Sequence, residues 1–254
     1  MIVLFVAYYI NHLVNRISDL TKSYKGVKAV DGLSLEVGEG ELFSLLGVNG
    51  AGKTTTIKTM CCLCPFDSGS VEIGGFDVEK QPEKVKTLIG VSPQETAVAR
   101  NLSVYENLVL MGGVHGFSKE KSKKIAEEMI GKFNLSKFRN MQAKKLSGGW
   151  QRRLSIAMAL VSDPKVLFLD EPTLGLDIIA RSELWDVIRE LKGKVTIILT
   201  THYLEESESL SDRVGIMRDG KLLFCGKCDE LVRSTGAESF EDAFVKTVKE
   251  GKHE

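Results

Sequence analysis

Hydrophobic and polar positions along the chain follow two different periods, and each period predicts a different kind of element. Alternation of apolar and polar residues predicts antiparallel strands at residues 17–24, 27–30 and 33–37. Short apolar runs predict further strands at 42–46, 89–91, 166–169 and 195–200. The run at 166–169 contains no polar residue, which is typical of a parallel strand buried on both faces. The chain is therefore predicted to have an α/β fold.

A helical period takes over between residues 95 and 161. Ser103 and Glu106 have the spacing of a capping box, which predicts a helix through residue 111. A second helix is predicted from Ser118 to about residue 131, and a third from residue 150 to 161. We interpret this stretch as a helical lobe inserted into an α/β core.

These patterns divide the chain into four parts. An apolar extension at 1–16 precedes an α/β core with an antiparallel β-subdomain, at 17–94 and 162–226. The helical subdomain occupies 95–161 and a helical tail occupies 227–254. The ten apolar residues at the N-terminus are too few to span a bilayer. We favour a short packed helix or the product of a start codon placed too early, with an interfacial anchor as the alternative.

Composition narrows the class of partner. Lys plus Arg and Asp plus Glu each number 34, so the formal net charge is zero. The chain therefore has no excess of positive charge that would favour nucleic acid as a partner. Two C-x-x-C groups, at 61–64 and 225–228, raise a zinc or redox interpretation. They are too far apart for a compact zinc module, and buried or idle thiols in a reducing cytoplasm are the favoured interpretation.

A phosphate-binding motif lies between the predicted strand at 42–46 and a predicted helix at 55–60. The sequence GVNGAGKTT fits G-x-x-x-x-G-K-[ST], and the alternative is a glycine-rich turn with an incidental lysine. In this motif backbone N–H groups surround the phosphates, the lysine reaches the β- and γ-phosphates, and the hydroxyl ligates Mg²⁺. The predicted ATP-binding residues are Gly47, Asn49, Gly50, Ala51, Gly52, Lys53, Thr54 and Thr55.

Two carboxylates follow the buried strand at 166–169. Asp170 is predicted to hold Mg²⁺. Glu171 is expected to point away from Asp170, because side chains alternate along a strand, and to polarise a water beside the γ-phosphate. An apolar run that ends in Asp-Glu is by itself a common strand boundary. Because the chain also contains the phosphate-binding motif (the P-loop), the Asp-Glu pair is a strong candidate for the catalytic carboxylates.

A second candidate anion site is the sequence Ser147-Gly148-Gly149. Serine is a favourable N-cap, and the two glycines expose N–H groups where the third helix begins. The simpler interpretation is a capped helix.

The order GVNGAGKTT, Gln94, LSGGWQRR, VLFLDEP, GLD and TTH resembles the ATP-binding cassette (ABC) ATPases, over about residues 17–224. The resemblance implies a P-loop NTPase core of the RecA-like type and two cassettes that dimerise head to tail around two ATP molecules. It assigns Ser147 and Gly149 to the γ-phosphate held by the opposite subunit. It also implies ATP hydrolysis coupled to transmembrane transport.

Further roles are implied by the same resemblance. Gln94 matches a glutamine that contacts Mg²⁺ and water, and Asp177 matches a loop that communicates across the dimer. His202 matches a histidine that supports the γ-phosphate together with Glu171. Tyr24 has the place of the ring that stacks on adenine, with a tyrosine on a sheet face as its alternative. Trp150 departs from the usual glutamine, which affects the expected geometry of the signature sequence, and Val48 departs from the common proline.

The segments TTHYLEE and SFEDAF resemble the ATPase subunits of exporters with separate type-2 permeases. The implied partners are a second ATPase subunit, expected to be a copy of this chain, and an integral-membrane permease. The implied location is cytoplasmic, on the inner face of the cell membrane through the permease. The alternative is a non-transport ABC ATPase, in iron–sulfur assembly or as a regulatory cassette.

Overall fold

The computed structural model describes residues 15–251. Contacts divide them into two compact units: residues up to 88 with those from 192 onward, and residues 89–191. The predicted apolar extension lies outside the described residues except for Asn15 and Arg16, which begin the first strand. Residues 252–254 of the predicted tail also lie outside them. The four-part division predicted from the sequence stays a prediction.

The elements follow one another in three runs. The first run contains β1 (Asn15–Tyr24), β2 (Val27–Val37), β3 (Leu42–Gly47), α1 (Lys53–Met60), β4 (Ser68–Ile73), β5 (Phe76–Asp77) and α2 (Pro82–Leu88). The second contains β6 (Ile89–Ser92), α3 (Val104–Val114), α4 (Lys119–Lys132), α5 (Gly148–Ala159), β7 (Val166–Asp170) and α6 (Ile178–Leu191). The third contains β8 (Thr196–Thr201), α7 (Leu204–Leu210), β9 (Arg213–Arg218), β10 (Lys221–Gly226), α8 (Cys228–Thr235) and α9 (Phe240–Glu250).

The first unit contains an antiparallel sheet with the strand order β2-β1-β4-β5. Ile17 of β1 lies opposite Leu35 on one side and Val71 on the other, and all three side chains are buried. The two short strands predicted at 27–30 and 33–37 form the single strand β2. Gly32, at φ +64°, and a shift in the pairing of β1 with β2 let the strand continue through the polar positions that suggested a break.

The same unit contains the strand that leads to the phosphate-binding motif. β3 lies between β8 and β9 and is parallel to both, while β9 pairs antiparallel with β10. Every residue of β3 is buried, which explains why its sequence is apolar rather than alternating. Helices α8 and α9 lie within the predicted tail, and they pack on an apolar cluster with Leu46, Val214 and Ile216.

In the second unit β6 and β7 pair in parallel, and every residue of β7 is buried. A Cβ at Gly90 of β6 would lie 2.2 Å from the carbonyl oxygen of Ala159, so only glycine lets this strand and the end of α5 approach so closely. The Ser103–Glu106 capping box is confirmed at the start of α3. Ser118 caps α4 as predicted.

No helix within residues 15–251 combines the length and the apolar character that are needed to cross a bilayer.

Candidate functional site

The phosphate-binding motif joins the buried end of β3 to the start of α1, and close backbone contacts fix its shape. A Cβ at Gly47 would lie 2.4 Å from the Met217 carbonyl oxygen. A Cβ at Gly52 would lie 2.3 Å from the Ala29 carbonyl oxygen, and Gly52 has φ +106°. A larger residue at either position would displace the backbone, so the two glycines define the path of the loop.

The side chains of the motif are arranged as phosphate binding requires. Lys53 is 6% exposed, and its Nζ donates to the Gly47 carbonyl oxygen at 2.7 Å, so the ammonium group lies over the loop. Asn49 and Gly50 are exposed at the tip, whereas Ala51 is buried beneath them. Helix α1 has neither a side-chain cap nor an acidic residue in its first turn, so its positive end remains available to an anion.

Tyr24 lies beside the same helix. Its ring is 46% exposed, and its hydroxyl forms hydrogen bonds with Thr55 of α1 and with Cys64. Burial, and after it the Cys64 hydrogen bond, hold the pKa of Tyr24 above its usual value. An exposed, neutral ring beside the phosphate-binding helix suits stacking on a planar base.

Asp170 and Glu171 lie in the second unit, at the end of β7. Each is 6% exposed. The strand ends at Asp170, and Glu171 has a left-handed backbone with φ +49°. The alternation of an extended strand therefore does not extend to Glu171, and its direction is set by a turn that the sequence did not reveal. A left-handed conformation is strained for a residue with a Cβ, and such strain is frequent at functional sites.

The Ser147-Gly148-Gly149 segment forms the start of α5. Ser147 occupies the N-cap position, yet its side chain makes no capping hydrogen bond, contrary to the simple interpretation of a capped helix. Ser147 and Gly148 are exposed, and no acidic residue stands in the first turn. The helix begins at Gly148 rather than at residue 150. The low helix propensity of glycine had placed its predicted start too late.

Asp177 and His202 lie in different units. The Asp177 side chain accepts a hydrogen bond from the Ala180 backbone N–H at 2.9 Å, so it caps α6. His202 follows β8 in the first unit, is half-buried, and its ring centroid lies 4.2 Å from that of Tyr203. Within the first unit, the motif follows β3 and His202 follows β8, and these two strands pair in parallel, whereas Tyr24 is the last residue of β1 in the antiparallel sheet. Within the second, Asp170 and Glu171 follow β7, and Gln94 follows its partner β6 by two residues.

Arg152 is a site residue that the sequence did not indicate. It is 5% exposed, and its two guanidinium nitrogens donate to the carbonyl oxygens of Pro93 and Gln94, each at 2.6 Å. The Gln94 side chain is exposed, while its backbone is held from below by α5. The only available signal was the arginine pair 152–153 in a helix that is mostly apolar after its first turn, and arginine is rarely this buried.

We predict that Arg152→Met lowers the free energy of unfolding by about 3 kcal/mol, because two hydrogen bonds from a charged donor are lost and two carbonyl groups lose a partner. Urea denaturation of the whole chain measures this change. Arg181→Met, a change in a half-buried arginine on α6, is the control. An Arg152→Met protein as stable as the unaltered chain contradicts the prediction.

Oxygen donors suited to Mg²⁺ are present among the predicted ligands. The Thr54 hydroxyl is half-buried at the start of α1, the Asp170 carboxylate is buried, and the Gln94 amide is exposed. Hydroxyl, carboxylate and amide oxygens are the donor types that this ion takes in nucleotide sites. Within residues 15–251 no cluster of three or more His, Cys, Asp or Glu side chains could hold a metal.

Burial raises the pKa of the thiols of Cys62, Cys225 and Cys228, the last to about 11.

Comparison with known proteins gives the family. The ABC transporter family model matches residues 30–174. The daunorubicin/doxorubicin resistance ATP-binding protein DrrA of Streptomyces peucetius is 42% identical over 221 residues, which are 87% of this chain and 67% of DrrA. The linearmycin resistance ATP-binding protein LnrL of Bacillus subtilis is 36% identical over 233 residues, 91% of this chain and 75% of LnrL.

A solved structure is similar in fold. The dimeric ATP-binding cassette MJ0796, in a post-hydrolysis state with ADP and Pi, superposes with a TM-score of 0.76 at 26% identity, over 84% of this chain and 98% of that one. The predicted P-loop NTPase fold, with its antiparallel sheet and helical elements, is confirmed. The chain belongs to the ABC transporter family and is the ATP-binding, ATP-hydrolysing subunit of a transporter of that family.

Proposed function

We propose that this chain supplies the energy for an exporter whose membrane pathway is formed by a separate permease. The observation that carries the proposal is a complete phosphate-binding loop and an uncapped, exposed Ser147-Gly148 helix start in a single chain. The names of DrrA and LnrL, which describe resistance to daunorubicin, doxorubicin and linearmycin, support a drug exporter. The peripheral location on the inner face of the membrane follows from such an arrangement.

The subunit acts as a homodimer. In the proposed dimer each ATP lies between the P-loop of one copy and the Ser147–Gly149 segment of the other. Ile178 and Ile179, directly after Asp177, are 82% and 73% exposed. Apolar side chains this exposed beside a loop of predicted dimer function are consistent with an interface that covers them. The dimeric state named for MJ0796 supports the same arrangement.

Each residue has a defined task in hydrolysis. Lys53 and the N–H groups of residues 50–55 neutralise the phosphate charge, and Tyr24 stacks on the adenine. Thr54, Asp170 and Gln94 would hold Mg²⁺, which supplies further charge neutralisation between the β- and γ-phosphates when it is bound.

Two further side chains act at the reacting centre, Glu171 on the attacking water and His202 on the γ-phosphate. The Glu171 carboxylate accepts a hydrogen bond from this water and increases its nucleophilicity. His202 orients the γ-phosphate. The buried position of Glu171 strengthens the effect of its charge.

The permease is proposed to contact Gln94 and, within residues 104–108 of α3, the accessible side chains of Tyr105 and Glu106, because the other three residues of that range are buried. Leu110 and Val114 of the same helix are 47% and 69% exposed. Met141, whose carbonyl oxygen accepts a hydrogen bond from the Val104 N–H at the start of α3, is 36% exposed. Apolar groups in this unit that face solvent support a protein partner at this helix. The exposed Gln94 side chain would transmit the presence of that partner to the nucleotide.

Crosslinking tests this contact. A chain with Cys225 replaced by serine and with Tyr105→Cys, co-expressed with a candidate permease, is expected to form a disulfide with a cytoplasmic loop of that permease. The matched control is Lys165→Cys, an exposed position at the opposite end of β7 from Asp170. Crosslinks from residue 165 with none from residue 105 contradict the proposed surface, and absence of any bound permease contradicts the transport function.

A further inference from the structure

Trp150 is the third residue of α5, directly after the Ser147-Gly148-Gly149 segment, and it is held by an aromatic and cationic cluster. Its ring centroid lies 4.7 Å from that of Phe138, with the planes tilted by 55°. The Arg153 guanidinium lies 4.6 Å from the Trp150 ring centroid, and the Lys137 ammonium 5.0 Å. We name Trp150, Phe138, Lys137 and Arg153 the Trp150 cluster.

The cluster is anchored to a second helix. Arg153 is 7% exposed, and its guanidinium donates to the Glu183 carboxylate of α6 at 2.9 Å. The starts of α5 and α6 are also close, because a Cβ at Gly149 would lie 3.2 Å from the Ala180 Cβ. Asp177, which caps α6, is therefore linked to the Ser147 segment through α6 and the Trp150 cluster.

The first turn of α5 needs such support. Its N-cap serine makes no capping hydrogen bond, and its first two residues are glycines, which favour an unwound backbone. A turn of this composition would fray by itself. Trp150 occupies the next position, where a ring packed at a tilt against Phe138 and covered by Arg153 fixes the helix.

We propose that Trp150 is a positioning residue for the phosphate contact of Ser147 and Gly149. It orders the first turn of α5 through a tilted aromatic contact and cation–π contacts, in place of the hydrogen bonds of a capped helix start, and it ties that turn to the Asp177 end of α6. The inference rests on the proposed dimer, because the phosphate that this turn contacts belongs to the opposite copy. It assigns no direct contact between Trp150 and ATP.

The test measures dimerisation in a chain with Glu171→Gln, which retains ATP. Trp150→Leu keeps an apolar side chain and removes the aromatic contact with Phe138 and the cation–π contacts. It is expected to raise the ATP concentration at half-maximal dimerisation by about tenfold or more, because both copies in the dimer carry the change. Trp150→Phe, which keeps an aromatic face, is expected to dimerise at an ATP concentration close to that of the Glu171→Gln parent. Trp185→Phe on α6 is the matched control, since Trp185 is the other tryptophan of the chain.

A second measurement separates positioning from general destabilisation. The affinity of the monomer for ADP, measured by calorimetry, is expected to be unchanged in Trp150→Leu, because the P-loop is in the other unit and is not altered. An equal loss of ADP affinity, or unchanged dimerisation by Trp150→Leu, overturns the inference. If the Glu171→Gln parent itself stays monomeric with ATP, the proposed dimer fails and the inference fails with it. A parent that dimerises therefore makes the two failures distinguishable.

Discussion

Replacing Glu171 with glutamine is expected to lower the steady-state rate of ATP hydrolysis by about 10² to 10⁴-fold. Glutamine keeps the shape of the side chain and removes the negative charge that polarises the water. Binding of ATP is expected to persist, because Lys53, Thr54 and the backbone of the phosphate-binding loop are unaltered. A phosphate-release assay under saturating ATP measures the rate.

The matched control for this change is Glu190→Gln, which removes a carboxylate from the exposed face of α6 in the same unit. Its rate should equal that of the unaltered chain. A Glu171→Gln enzyme that hydrolyses ATP at a rate near that of the control would remove Glu171 from the mechanism.

Loss of Lys53 is expected to abolish turnover by a different route. Lys53→Ala removes the charge that lies over the loop, so both ATP affinity and hydrolysis should fall below detection in a standard assay. Asp170→Asn should abolish hydrolysis as well, through loss of a Mg²⁺ ligand, while nucleotide binding in the absence of Mg²⁺ is retained. Calorimetric titration with ATP, with and without Mg²⁺, separates the two patterns.

The control for Lys53→Ala is Lys58→Ala, an exposed lysine in the last turn of the same helix, which should hydrolyse ATP normally. Retention of near-normal ATP hydrolysis by Lys53→Ala or by Asp170→Asn would refute the corresponding assignment.

Local pattern predicted most of the elements, because their signals lie within a few residues. The alternation in β1 and the unbroken apolar sequence of β7 reflect burial on one face and on both faces, respectively. The Ser103–Glu106 box is equally local. Helix α1 begins at Lys53, two residues before its predicted start. The order of the motifs then predicted which distant segments serve the same site, because that order resembles a known family. The periodicity of hydrophobic residues alone could not predict this.

Features set by distant contacts were not predicted. The burial of Arg152 depends on carbonyl groups 58 and 59 residues away in the chain, and no local signal reveals such partners. The left-handed backbone of Glu171 is another example, because a glutamate in this conformation is stabilised by its surroundings rather than by its own preference. The third feature that was not predicted is the absence of a capping hydrogen bond from the Ser147 side chain. This absence leaves the exposed hydroxyl available to a ligand.

The measurement that tests the proposed sandwich most directly is size-exclusion chromatography with light scattering on the Glu171→Gln chain. With ATP and Mg²⁺ it should elute with the mass of two copies of the 28.0 kDa chain, and with ADP, which lacks the γ-phosphate, as one copy. Adding Ser147→Arg should return the ATP-bound protein to one copy, because the arginine blocks the contact without altering the P-loop. A Glu171→Gln chain that remains a monomer at saturating ATP, or a dimer that persists with Ser147→Arg, contradicts the account.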